Sequence, residues 1–180
     1  MLKTLRYRAY AGIVGLIFLI PELVLLVLRE LKKLPNGLLP LFYTLIVVET
    51  ILYIYYIWGF KIIGDKTNNT MLKTSMILLV ISEFLTKGYH FVWNPTFSHL
   101  TVLIISSSIL FVLGIIGIIA GIAMLKLKNK FGSLATTVGV LNIISGVSYA
   151  TVIFVFVAVL LLIPLTIFEI VLLFKASEKL

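Results

Sequence analysis

Four of the seven Asp and Glu residues in this 180-residue chain lie inside long apolar stretches: Glu22, Glu49, Glu83 and Glu169. A charged carboxylate in the centre of a bilayer costs a few kcal/mol or more, so such groups usually face a bundle interior and often mark a pathway. Glu49 and Glu83 lie near the middle of their stretches. The four residues therefore predict a polar site within a membrane.

Glu49 is the strongest single candidate, because Tyr53 and Tyr56 follow it at i+4 and i+7 on one helix face. A carboxyl group beside two phenols could hold a cation, relay a proton or hydrogen-bond a quinone-like headgroup. The alternative is an interfacial belt of tyrosines, with Glu49 bonded to Asn142 or to a serine on a neighbouring helix. Since its own span has no Lys or Arg before Lys61, we expect Glu49 to be neutral.

The other acidic residues also have purely structural interpretations. Glu83 can form an ion pair with Lys87, one turn later on the same helix face. Glu169 can reach the membrane interface near Lys175. A protonated Glu can also donate a hydrogen bond that holds two helices together. These alternatives remain open at this point.

Metal and cofactor chemistry has little support in the sequence. His90 and His99 flank a turn that contains Pro95 and are weak metal candidates, because a site needs further ligands and none is indicated nearby. The chain has no cysteine, which excludes Cys-ligated zinc and iron–sulfur clusters. No nucleophile, phosphate-loop or metalloprotease spacing is present, so we predict no cofactor and no enzymatic activity.

Composition indicates an all-α polytopic membrane protein with a single domain over residues 1–180. Apolar residues make up 61% of the chain and charged residues 12%, far from the averages of soluble domains. The formal net charge is +8, but the basic residues lie mostly at the ends of apolar stretches. We therefore expect anionic lipid headgroups, and no nucleic acid, as their partners.

The apolar stretches predict six transmembrane spans, near residues 9–28, 38–60, 71–93, 100–125, 132–149 and 152–174. The last two divide the 44-residue stretch Phe131–Phe174, which as one helix would be roughly 66 Å long, about twice the thickness of the hydrocarbon core. We expect a turn at Ser145–Thr151, where Gly146 favours tight backbone geometry. The third span reaches full length only if Lys73 and Lys87 extend toward the two membrane surfaces.

Lys and Arg counts predict the orientation of the chain. With six spans, eleven of these residues lie on the side of both termini and four on the other side. The positive-inside rule then places both termini in the cytoplasm of a multi-pass cell-membrane protein. The polar segment Lys61–Lys73 is predicted to be the longest loop on that side.

Small residues predict where helices pack closely. Gly117 and Gly121 form a GxxxG motif in the fourth span, and Gly139 and Gly146 continue the pattern in the fifth. In the first span Ala11 and Gly15 offer a similar contact face.

Three segments resemble uncharacterised multi-span membrane proteins of archaea and bacteria: Trp58–Asn69, Leu125–Ala135 and Ile163–Leu180. The resemblance supports the topology and implies no activity. For function we expect a structural or accessory subunit of a membrane complex, a homo-oligomer, or a membrane-embedded binding protein. The alternative is a small proton- or cation-coupled transporter that uses the intramembrane Glu residues; a lipid or quinone enzyme using Glu49, Tyr53 and Tyr56 is a third hypothesis.

Overall fold

The structure is a computed structural model that describes residues 2–31, 33–92 and 99–180. The described residues form helices and connecting turns, without strands. The helices are α1 (Leu2–Glu30), α2 (Leu39–Thr67), α3 (Thr70–Val92), α4 (His99–Leu125), α5 (Lys128–Phe131), α6 (Ser133–Ala150) and α7 (Val155–Lys179), with a short 3-10 helix at Asn36–Leu38.

The chain is a multi-pass membrane protein with an all-helical bundle, as predicted. Among the described residues, five helices are long and apolar enough to cross a bilayer: α1, α2, α4, α6 and α7. The predicted six spans come close to this result. The sixth long helix, α3, falls short because it carries Lys73, Glu83 and Lys87. Large apolar side chains such as Ile17 and Leu160 are exposed on the outside of the bundle, where lipid would cover them.

The six long helices form a closed ring. Each packs against the next long helix along the chain, and α7 packs against both α6 and α1. Arg6 Nε donates to Ser177 Oγ over 3.4 Å, and the rings of Tyr10 and Phe174 lie 5.3 Å apart. Both ends of the chain therefore lie at one end of the bundle. We call it the basic end, because Lys175 and Lys179 also cap carbonyls of α5 there.

The prediction of a long loop over Lys61–Lys73 is wrong, because α2 and α3 are separated by only two residues. Asn68 takes a left-handed conformation (φ 54°) that ends α2. The Asn69 side chain accepts from the Leu72 amide over 3.1 Å and donates to the Ala123 carbonyl over 2.8 Å. The Asn69 side chain therefore caps the start of α3 and links the turn to α4. The polar residues on both sides of the turn belong to helices.

The turn before α7 lies later than predicted. Helix α6 continues through Gly146 to Ala150, and the chain turns at 151–154, where Val152 takes a left-handed φ of 58°. Gly146 instead allows α6 to pack closely against α4. A Cβ atom there would lie 2.7 Å from the Gly114 carbonyl oxygen of α4.

Helices α4 and α6 meet along glycines, and we call this contact the glycine seam: Gly114, Gly117, Gly121, Gly139 and Gly146. A Cβ atom at Gly121 would lie 2.6 Å from the Gly139 oxygen, and one at Gly117 would lie 3.3 Å from Gly146 Cα. The first separation is too short for a Cβ atom and the second is tight, so the two backbones approach each other closely.

Two apolar clusters close the interior on either side of its polar residues. Toward the basic end, Phe60, Ile63 and Leu172 belong to a large, fully buried cluster. Toward the opposite end, Phe42 and Ile46 pack in a smaller cluster with Leu25 and Leu45. Tyr56 belongs to the large cluster itself, and Glu49 lies on α2 between Ile46 and Tyr56.

Candidate functional site

Three of the predicted Glu residues meet at one lysine, and we call this group the lysine cluster: Glu22 of α1, Glu49 of α2, and Glu83 and Lys87 of α3. The Lys87 ammonium group donates to Glu22 Oε1, lies 3.0 Å from Glu49 Oε2 and lies 3.8 Å from Glu83 Oε1. The structure thus brings together carboxylates from three helices around one cation.

The lysine cluster is largely buried between the helices, in the half of the bundle away from the basic end. Lys87 is seventeen residues into α3, or roughly 26 Å from the basic end at 1.5 Å per residue. Glu49 is ten residues from the opposite end of α2, or roughly 15 Å. The expectation that Lys87 extends to the membrane surface is wrong. The lysine turns inward because three carboxylates there replace the water that an exposed ammonium group would bind.

Glu49 was expected to be neutral because its own helix carries no nearby cation. The Lys87 ammonium group beside the Glu49 carboxylate removes that reason. The cation comes from α3, a neighbour that the spacing within one span cannot reveal. The pairing with Glu83 at i+4 does form, but at 3.8 Å it is the longest of the three contacts.

The charges of the lysine cluster do not balance. If all three carboxyl groups are ionised, one ammonium leaves two negative charges without compensation, while Glu22 and Glu49 are only 5% and 7% exposed. Two like charges 4 Å apart repel by about 4 kcal/mol at an effective dielectric constant of about 20. Glu22 Oε2 is buried without a hydrogen-bond partner in the described part of the chain. The group is therefore costly unless it takes up positive charge.

Glu169 occupies a second polar group, which we call the Glu169 cluster: Tyr56 of α2, Asn142 of α6 and Glu169 of α7. Tyr56 donates to Glu169 Oε2 over 2.8 Å, and Asn142 Nδ2 donates to Glu169 Oε1 over 2.9 Å and to the Val138 carbonyl over 3.1 Å. The expected bond between Glu49 and Asn142 is absent from the described contacts. Glu169 also does not reach the interface, because it is held inside by these two donors.

A glycine that the sequence analysis did not select positions the Glu169 cluster. A Cβ atom at Gly12 of α1 would lie 2.6 Å from the Tyr56 ring and 2.9 Å from Ile170. Gly12 thus lets α1 approach α2 and α7 and holds the Tyr56 ring in place. At Gly15, which was selected, a Cβ atom would meet only Leu52 at 3.7 Å, an ordinary contact.

The three residues predicted to form one site on α2 do not all belong to one cluster. Glu49 faces Lys87, Tyr56 faces Glu169, and Tyr53 lies between them with its ring 6.5 Å from that of Tyr56. From Glu49 to Tyr56 is seven residues, or roughly 10 Å along the helix. The structure therefore places Glu49 and Tyr56 of the predicted site in two different clusters, with Tyr53 between them along α2.

The histidine hypothesis lies outside what the structure describes, because the side chains of His90 and His99 are not among the described ones. Within the described residues, no group of three or more potential ligands is arranged to hold a metal ion.

Lys87 is the residue whose importance the sequence analysis underestimated. Its signal was present in the sequence, because it is a basic residue within the inner part of an apolar stretch. Assigning it to the membrane surface hid its role as the shared partner of three carboxylates.

No family model, curated protein or solved structure matches this chain. The resemblance to uncharacterised multi-span membrane proteins therefore stays a prediction, and the site has to be interpreted from its own chemistry.

Proposed function

We propose that this protein is a small proton-coupled membrane carrier, in which the lysine cluster binds and releases protons. The supporting observation is the convergence of three carboxylates from α1, α2 and α3 on the single Lys87 ammonium group. Intramembrane acidic residues that face a bundle interior are typical of proton relays in pumps and transporters.

A proton suits the lysine cluster better than a larger cation. The Lys87 ammonium already occupies the position between the carboxylates, so a metal ion would have to displace it. A proton adds to an existing oxygen and needs no further space. Glu22 Oε2, which lacks a hydrogen-bond partner among the described residues, is one oxygen that could accept it.

The orientation is part of the same proposal. The basic end carries both termini and most of the Lys and Arg residues, so the positive-inside rule favours a cytoplasmic basic end in the cell membrane. Anionic lipid headgroups would then bind the lysines of α5 and α7. The lysine cluster would lie in the half of the membrane farther from the cytoplasm.

Proton flux into reconstituted liposomes tests the proposal. With a pH gradient imposed and a pH dye enclosed, the wild-type protein should collapse the gradient faster than empty liposomes. Glu49→Gln should abolish the difference, because it removes one exchangeable carboxyl group. Glu178→Gln, a change at an exposed residue of α7, is the matched control and should behave as wild type.

A parallel measurement of sodium uptake separates protons from other cations. Sodium-dependent flux that Glu49→Gln abolishes would replace the proton with a monovalent cation. Wild-type rates equal to those of empty liposomes for both ions would overturn the carrier proposal and favour an accessory subunit.

A further inference from the structure

We infer that Glu169 is a second proton-binding station, linked to the lysine cluster by Tyr56 and Tyr53. The inference rests on the proposed function and extends it from one site to a path. The path would run roughly 10 Å along the inner face of α2.

Glu169 differs from the lysine cluster in having only neutral hydrogen-bond partners among the described residues. Both of its carboxylate oxygens accept from neutral donors, the Tyr56 hydroxyl and the Asn142 amide. No Lys or Arg forms an ion pair with Glu169 in the described part of the chain. A proton on Glu169 would therefore meet no opposing fixed cation, unlike one arriving beside Lys87.

Tyr53 is positioned to connect the stations. It follows Glu49 by one helical turn, precedes Tyr56 by three residues, and packs partly buried against the core. The ionisable groups that act on it come from four helices: Glu49 and Tyr56 on α2, Glu83 on α3, Tyr149 on α6 and Glu169 on α7. Along α2, Tyr53 therefore lies between Glu49 of the lysine cluster and Tyr56 of the Glu169 cluster.

The transfer itself conserves one proton. Glu169 as the neutral acid gives its proton to the Tyr56 oxygen while the original Tyr56 hydroxyl proton moves toward Tyr53. Tyr53 in turn passes its own proton to an ionised carboxylate of the lysine cluster. Both phenols end neutral, Glu169 becomes a carboxylate, and one carboxylate of the cluster becomes the acid. Because the two rings are 6.5 Å apart and the described contacts include no hydrogen bond of the Tyr53 hydroxyl, a side-chain rotation or a bridging water must complete both the step to Tyr53 and the step from it.

Apolar side chains lie beyond both ends of this path. Phe60 is fully buried, and its ring lies 5.6 Å from that of Tyr56 on the side of the basic end. Phe42 and Ile46 pack together toward the opposite end. The Lys87 and Glu83 side chains are 14% and 15% exposed, so the lysine cluster is not sealed from the outside of the bundle.

Two readouts on the same variants test the relay in the full-length protein. The first is the proton flux into liposomes. The second is the infrared band of protonated carboxyl groups, which reports how much proton the lysine cluster holds at equilibrium. Tyr53→Phe and Glu169→Gln should lower the flux at least about tenfold. With the contribution of Glu169 itself subtracted, neither change should alter the band of the lysine cluster.

Tyr55→Phe is the matched control, since Tyr55 is exposed on the same helix and its ring would keep the contact with Arg8. It should keep wild-type flux. Because Tyr53→Phe removes only one oxygen atom, it tests the path even if Glu169→Gln fails to fold. Wild-type flux in Tyr53→Phe and Glu169→Gln would overturn the relay and leave the lysine cluster as the carrier site. A wild-type protein with no proton flux above that of empty liposomes would overturn the proposed function and the relay together.

Discussion

The glycine seam and the lysine cluster hold their helices together in opposite ways. Along the seam, α4 and α6 touch backbone to backbone, and a Cβ atom at Gly121 would meet the Gly139 oxygen at 2.6 Å. In the cluster, α1, α2 and α3 meet through long charged side chains around Lys87. The first contact consists of close packing, whereas the second buries charges that a bilayer disfavours.

The two contacts differ in what they cost. Close packing of small residues stabilises helix pairs in membranes without any buried charge. A protein that needed only stability could have joined α1, α2 and α3 in the same way as α4 and α6. Burying three carboxylates beside one ammonium group lowers the stability of the folded protein. The proposed proton binding would explain why these residues are present.

Removing the cation from the lysine cluster should have the largest effect. We expect Lys87→Met to destabilise the protein by roughly 3 kcal/mol or more at neutral pH, because it leaves buried carboxylates unpaired. The loss should shrink as the pH falls, since protonated carboxyl groups no longer repel. Reversible unfolding in mixed micelles over a range of pH measures both effects.

Lys66→Met is the control for that prediction, because Lys66 is exposed near the end of α2. It should leave the unfolding midpoint unchanged. A Lys87→Met protein as stable as wild type at neutral pH would mean that the carboxyl groups are already neutral without the lysine.

Filling the glycine seam should cost stability without affecting protons. We expect Gly121→Ala to destabilise by about 2 kcal/mol through overpacking, and Gly117→Ala to cost less, because its Cβ atom would have 3.3 Å of space. Proton flux per folded molecule should match wild type in both. Loss of proton flux in a variant with the same folded fraction as wild type would show that the glycine seam and the lysine cluster are not independent.

Gly12→Ala should have a smaller effect on stability and a specific effect on the Glu169 cluster. The added methyl group would meet the Tyr56 ring and the Ile170 side chain, which can shift more readily than the backbone oxygen that Gly121→Ala would meet, so we expect a cost of about 1 kcal/mol. Proton flux should fall because Tyr56 moves away from Glu169. Gly15→Ala on the same helix has room for its methyl group and should match wild type in both measurements.

Asp65→Asn should have the smallest effect. Asp65 lies 3.2 Å from Lys61 and 2.9 Å from Lys73, but the carboxylate side chain is 36% exposed. Exposed ion pairs contribute little, so neither the unfolding midpoint nor its salt dependence should change measurably. A clear loss of stability would assign the turn between α2 and α3 a larger role than the asparagine contacts explain.

The sequence was sufficient to predict the class of fold, because long apolar stretches dictate helices that satisfy their own backbone hydrogen bonds in lipid. It was also sufficient to select Glu22, Glu49, Glu83 and Glu169, since charge in such stretches is rare. Of their partners it predicted only Lys87 for Glu83, one turn away on the same helix. Asn142 meets Glu169 rather than Glu49 because helices α6 and α7 are neighbours in the ring, and periodicity within one helix carries no such information.

The turn at 151–154 illustrates a second limit of the sequence. Gly146 has the conformational freedom of a turn residue, but it is also the size that the glycine seam requires. The close approach of α4 decides between the two roles, so Gly146 stays helical and Val152 takes the left-handed conformation.

Infrared spectroscopy of the carboxyl groups tests the central claim most directly. The protein would carry Glu169→Gln, so that the buried carboxyl groups still observed belong to the lysine cluster. We predict a band from protonated carboxyl groups at neutral pH that diminishes when Glu22, Glu49 or Glu83 is changed to Gln and is unaffected by Glu178→Gln. A spectrum that contains only ionised carboxylates at neutral pH, and that gains no protonated band as the pH is lowered toward the unfolding limit, would contradict proton binding by this cluster.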